Sequence, residues 1–321
     1  MAIVSLCGCG SAGCHQDAGH PPEQVRYDEL LSATRPDPEK WPEYRELSMS
    51  ERGELEQVLP AFYATLTRGV DFSPEVRDGF TAAGLRLTEF ERGGEKLVLL
   101  HEHGPSWRGG GGYLFRKGGV KLGERGGEAI EEVVVQAPHS FHDHLTGEIG
   151  LKVFEKSVAR GFFYNTIHRY RARRGERSRD EVHPADMARS EGSVFQVMSE
   201  HYLKDTEGSK VFQLHGFKSR KLARQGIDVV VSGGEEEGAT ALAERVVEVF
   251  REKIGAERVA LYPRDTDSFG ALTNVLGGWC AQHAPGRFVH VEMDLALRER
   301  IEQQPGVLVE VLEGGVLRGT P

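Results

Sequence analysis

"VVVQAPHSFHDHLTGEIG", residues 133–150, decides the fold. It opens on three consecutive valines, with no polar residue before Gln136. A short unbroken apolar run fits a strand buried on both faces, whereas a half-exposed strand would alternate. Pro138 then ends the run, and His139, His142, Asp143 and His144 follow within six residues. The segment 147–161 returns to helical spacing.

The same alternation continues downstream. Residues 161–170 ("GFFYNTIHRY") read as a second buried strand and 186–205 ("DMARSEGSVFQVMSEHYLKD") as a helix. Residues 210–217 ("KVFQLHGF") and 228–234 ("DVVVSGG") read as strands, and 238–255 as a long amphipathic helix. Strands at 258–263 and 287–295 follow, then a helix from 296. Strands alternating with helices predict an α/β fold: a mostly parallel, mixed central sheet with helices on both faces.

Upstream, apolar spacing predicts a helix over 50–67, with Ser50 at its start and Gly53 and Glu54 behind it. Three short strands at 85–91, 96–103 and 111–118, separated by Gly-rich turns, predict a β-meander leading into the core. The expected organisation is a tail at 1–25, a helix and meander extension at 26–125, and a catalytic-type domain at 126–321.

Composition bounds the function. The chain has 321 residues, 39% hydrophobic and 28% charged, with a net charge of −9 and a pI near 5.8. That balance argues against a general nucleic-acid binder. The basic run 168–179 ("HRYRARRGERSR") reads as a solvated loop. No run of eighteen apolar residues exists to cross a membrane. Cys7, Cys9 and Cys14 crowd the N-terminus, away from Cys280. Their spacing fits neither a standard zinc pair nor haem attachment, whereas "LCGC" at 6–9 resembles a lipobox with Cys9 lipidated. On that reading the protein is a cell-envelope lipoprotein, and otherwise cytoplasmic. "VSGGEEEGAT" (231–240) lacks the lysine and glycine spacing of a phosphate loop, and its glutamates would repel phosphate. Oligomeric state is not legible.

Open α/β sheets collect ligands at the carboxyl ends of their strands. There the sequence offers His139, then His168 and Arg169, then His215, the two glycines after Val231 and Ser232, and Glu292. A catalytic zinc takes three ligands from His, Asp or Glu and leaves a place for water. His139 with either His142 or Asp143 supplies two, and His215 the third. Manganese or iron suits such ligands as well. Glu292 is placed to move protons, and Arg169 to offer a fork to a substrate carboxylate. The segment 262–279 ("YPRDTDSFGALTNVLGGW"), with Arg264, reads as a substrate-binding loop entering a helix.

"APHS", "FQLHGF" and "FVHVEMDLALRE" together resemble the zinc-dependent N-formylglutamate amidohydrolase-like superfamily, related in fold to the zinc carboxypeptidases, over about residues 130–305. The resemblance implies zinc on His139, Asp143 and His215, Glu292 as base, and Asn165 with Arg169 on a substrate carboxylate. Zinc carboxypeptidases carry a Glu three residues after the first His; here His142 stands there and Asp143 one further on, so His142 is the alternative second ligand. The implied activity is hydrolysis of an amide bond next to a carboxylate in a small molecule or peptide. The alternative is a non-catalytic envelope lipoprotein or binding module that keeps the fold.

Overall fold

A computed structural model describes residues 44–102, 107–118, 132–171, 182–236 and 238–317. The cysteine-rich start with its lipobox lies outside the described residues, as does most of the basic run. Among the described residues no helix is long and apolar enough to cross a membrane.

Helix α1 (Met49–Arg68) begins at Ser48, not Ser50. The Ser48 hydroxyl accepts from Glu51 N and the Glu51 carboxylate accepts from Ser48 N. Three residues beyond Ser50 stands Gly53, which has no side chain to close such a box. Helix α2 (Pro74–Ala82) follows, then strands β1 (Leu85–Arg92), β2 (Glu95–Glu102) and β3 (Gly112–Arg116). The meander pairs antiparallel throughout, and β3 pairs antiparallel with β5 (Gly161–Tyr164). With β4 (Val133–Ala137), β6 (Lys210–Gly216), β7 (Val229–Ser232), β8 (Val259–Leu261) and β9 (Phe288–Met293), it therefore continues the same nine-stranded sheet, in the order β1-β2-β3-β5-β4-β6-β9-β7-β8.

The middle of the sheet positions the site. Strands β5, β4 (Val133–Ala137), β6 (Lys210–Gly216) and β9 (Phe288–Met293) are mutually parallel and buried along their length. Helix α3 (Thr146–Lys156) carries the chain from β4 to β5, and helix α4 (Val194–Asp205) carries it back past β4 to β6. The end of β4 is thus the point where chain direction across the sheet reverses, and such switch points open a crevice. His139 follows it by two residues.

Strand β7 (Val229–Ser232) departs from expectation. It runs antiparallel to β9, and β8 (Val259–Leu261) runs with it. The connection from β6 holds only the six-residue helix α5 (Arg220–Gln225), about 9 Å long, and stays at the end of the sheet where β6 finished. The glycines after β7 therefore sit at the far end from His139, with Gly234 against Phe288 at the start of β9.

Both faces are covered. Helices α3, α6 (Ala241–Ile254), α8 (Leu295–Gln303) and α9 (Gly306–Val311) pack Ile149, Val246, Phe250, Ile301 and Val311 on one face. On the other, α1, α2, α4 and α7 (Val275–His283) pack Leu59, Phe62, Phe80, Met198 and Leu276. Phe62 alone meets Tyr63, Phe72, Phe80 and Phe115 with ring centroids 5.0–5.5 Å apart.

Candidate metal centre and active site

The loop after β4 is wound into a tight turn. His142 N and Asp143 N both donate to His139 O, each at 2.8 Å. One turn of helix-like backbone brings residues four apart together, so His139 and Asp143 meet, while His142 lies exposed at the cavity wall. Asn165 anchors this turn. Its Oδ1 accepts from Ser140 N at 2.7 Å, and its amide donates to Ile167 O. Fully buried and so committed, Asn165 shapes the loop rather than facing a substrate.

Register does the rest. Gln136 pairs with Gln213, Gln213 with His290, and His215 with Glu292, so three neighbouring strands deliver their side chains to one spot. His139 Nδ1 lies 3.2 Å from Asp143 Oδ2 and 3.1 Å from His215 Nδ1, and His215 Nδ1 lies 3.3 Å from Asp143 Oδ2. All three residues are buried.

The outer nitrogens explain what these inner atoms are. His139 Nε2 lies 2.7 Å from Asp186 Oδ1, and Asp186 also takes Arg169 Nη2. Burial alone would raise the Asp186 carboxyl, but His139 and Arg169 hold it down at about 2. It is an acceptor only, so His139 Nε2 carries a proton. His215 Nε2 lies 2.9 Å from Gln213 Oε1 and is likewise a donor. Burial lowers the His215 pKa, which keeps the ring neutral. The inner set is therefore a carboxylate oxygen and two imidazole nitrogens that lack a proton when neutral. Three such acceptors converging in a dry site require positive charge among them.

A proton on His139 Nδ1 is one such charge. Burial works against it, yet the carboxylates of Asp143 and Asp186 outweigh that and raise the His139 pKa. The Arg169 guanidinium, with Nη1 3.3 Å from His139 Nδ1, is a second, and a metal ion is a third. Tetrahedral ligands at about 2.0–2.1 Å from zinc stand roughly 3.3 Å from one another, which the observed 3.1, 3.2 and 3.3 Å match. A carboxylate on the second nitrogen of a ligating histidine is also the arrangement that orients such ligands. The residues fit a zinc-type ion.

Glu292 stands beyond His215, with His290 beside it, Nε2 to Oε1 at 3.7 Å. Its Oε2 is buried without a hydrogen-bond partner. Burial, helped by the Asp143 charge, pushes the carboxyl up to about 8. Burial and the neighbouring imidazoles hold His290 neutral. These groups line a cavity of about 470 Å³ with Arg169, Arg189, Tyr262 and the 269–274 segment. At its mouth Phe269 (φ 62°) and Ala271 (φ 58°) adopt left-handed backbone around Gly270, where a Cβ would stand 2.5 Å from the Tyr262 ring. Non-glycine residues hold that conformation only under tertiary constraint.

The expected site residues thus divide. His139, Asp143, His215, Glu292 and Arg169 come together. His142 is exposed and packs on the rings of His168 and Tyr170, 5.3 and 5.1 Å away. Arg264 sits away from the cavity, between Glu244 and Asp265. Asp186, Gln213 and His290 were not anticipated. The segment containing Asp186 looked helical, but α4 starts only after the Ser193 cap, leaving 186–192 as turns. Gly192 before Ser193 carried that signal. Gln213 and His290 are detectable as polar residues in mostly apolar strands, two positions from His215 and from Glu292 and so on their faces.

No protein-family model and no curated protein matches the chain. Among solved structures it is similar to a metallo-carboxypeptidase from Burkholderia cenocepacia, at 14% identity and a TM-score of 0.38, covering 76% of this chain and 69% of that one. It is also similar to a Zn-dependent exopeptidase from Parabacteroides distasonis, at 10% identity and a TM-score of 0.31, covering 84% and 98%.

Proposed function

We propose that the protein is a zinc-dependent hydrolase of an amide bond adjacent to a carboxylate. One observation carries this reading: three acceptor atoms of His139, Asp143 and His215 converge at ligand spacing, in a cavity that also holds the unpartnered carboxylate oxygen of Glu292. Zinc held by those three residues supplies Lewis acidity toward a carbonyl and makes water a better acid.

The chain's own residues supply the remainder. Beside a metal held there Glu292 would be ionised, and its Oε2 would accept the proton of the attacking water. It then returns that proton to the departing amine, so one carboxylate serves both halves of the hydrolysis. Arg169 lines the same cavity, with Nη2 fixed on Asp186 and Nη1 3.3 Å from His139 Nδ1. That nitrogen lone pair serves a metal or Arg169, not both. With that lone pair on a metal, Nη1 would be free to pair with a substrate carboxylate in the cavity. The resemblance of the sequence motifs to amidohydrolases supports the same choice of bond.

The test is hydrolysis of a panel of N-acyl amino acids and short peptides with free carboxyl termini, with zinc and after chelation. The proposal expects turnover that chelation abolishes and zinc restores. It expects methyl esters of the same substrates to react far more slowly. Turnover indifferent to chelation would overturn it.

A further inference from the structure

Gln213 is buried in the middle of the sheet, in a strand that is otherwise apolar around it. A buried amide is costly unless each of its polar atoms is paired, so its partners are informative. They form a chain with a definite direction. The Ser199 hydroxyl has one proton and donates it to Phe195 O at 2.7 Å, so its oxygen accepts from Gln136 Nε2 at 2.8 Å. Gln136 Oε1 consequently faces Gln213 Nε2, at 2.9 Å. Gln213 Oε1 is left as the acceptor at the other end.

Asn274 imposes the same direction independently. As N-cap of α7 its Oδ1 accepts from Gly277 N at 3.1 Å, which turns its Nδ2 onto Gln213 Oε1. Two sequences of bonds, one starting on α4 and one on α7, meet at Gln213 Oε1. His215 Nε2, 2.9 Å away, must then be the proton-bearing nitrogen.

We propose that Gln213 is a positioning residue that fixes the tautomer of His215, keeping its Nδ1 lone pair aimed at Asp143 and His139. Through Asn274 it also ties the cavity-lining 269–274 segment to that histidine. The inference rests on the metal reading of the site for its consequence, zinc affinity, but not for the tautomer itself.

Two measurements test it. Long-range ¹H–¹⁵N spectra of the zinc-free wild type report which nitrogen of His215 bears the proton. Competition with a chromophoric chelator gives the zinc affinity of wild type, Gln213→Met and Gln213→Glu. The expected wild-type tautomer is Nε2–H. Gln213→Met removes the acceptor at similar volume and weakens zinc about 10–100-fold, the usual loss for a residue that orients a ligand. Gln213→Glu keeps an acceptor for His215, because Gln136 and the Ser199 hydroxyl can reverse to suit it, and stays near wild type. An Nδ1–H tautomer in the wild type overturns the inference whether or not the variants fold. Wild-type affinity in Gln213→Met, or equal losses in both variants, overturns it too. If the wild type takes up no zinc, the metal reading fails, and the tautomer spectrum still decides the role of Gln213.

Discussion

Asp186→Asn removes one charge and one acceptor while conserving shape. In the native site the two carboxylate oxygens divide their work. Oδ1 takes His139 Nε2 at 2.7 Å and Oδ2 takes Arg169 Nη2, with both His139 and Asp186 buried. An amide has only one acceptor. If it serves His139, its NH₂ faces the Arg169 guanidinium, donor against donor; if it serves Arg169, the NH₂ faces His139 Nε2–H. A charge-assisted hydrogen bond of this length contributes about 1.5–3 kcal/mol. At about 1.4 kcal/mol per tenfold, that corresponds to roughly a 10–100-fold weaker zinc affinity, in line with losses seen for residues that orient metal ligands. The assay is a competitive zinc titration at pH 7.5, with circular dichroism to verify the fold. A folded variant that binds zinc as tightly as the wild type would refute the argument that Asp186 holds the His139 tautomer.

Other outcomes follow from the same geometry. Glu292→Gln should retain zinc while amide turnover falls about 10²–10⁴-fold, because a proton acceptor is lost and no ligand is; measured zinc content beside kcat separates the two. Zinc affinity should fall about tenfold per pH unit below the His139 pKa, which lies above the ordinary 6.5, so titrations from pH 8.5 to 5.5 should show the decline starting above that value. In the zinc-free protein the same raised pKa stabilises the fold below pH 6.5 and loses that contribution as pH rises through the folded value, which denaturation across that range should register. Phe62→Ala, at the centre of the aromatic cluster under the meander, should cost about 3–5 kcal/mol in urea unfolding without changing zinc affinity per folded molecule.

Much of this was legible because the signals are local. Strands β4, β6 and β9 are short, mostly apolar and buried, and strand-end logic leads directly to His139, His215 and Glu292. The i,i+4 spacing of His139 and Asp143 was visible, but the choice of Asp143 over His142 needed the turn that Asn165 holds. What was not legible depends on non-local pairing. The direction of β7 follows from β9, which arrives more than fifty residues later and inserts beside β6. Asp186 reaches His139 across 47 residues of sequence. Arg264 fails as a site residue because its exposed side chain turns to Glu244 and Asp265, although Tyr262 two residues earlier lines the cavity.

The central claim is that His139, Asp143 and His215 hold one metal ion. Metal content of the purified protein by inductively coupled plasma mass spectrometry, for wild type beside His139→Ala and His215→Ala, tests it most directly. The account predicts about one equivalent of zinc in the wild type, lost in both variants while circular dichroism shows the fold intact. A wild-type protein without metal, and without uptake when zinc is added, would contradict it.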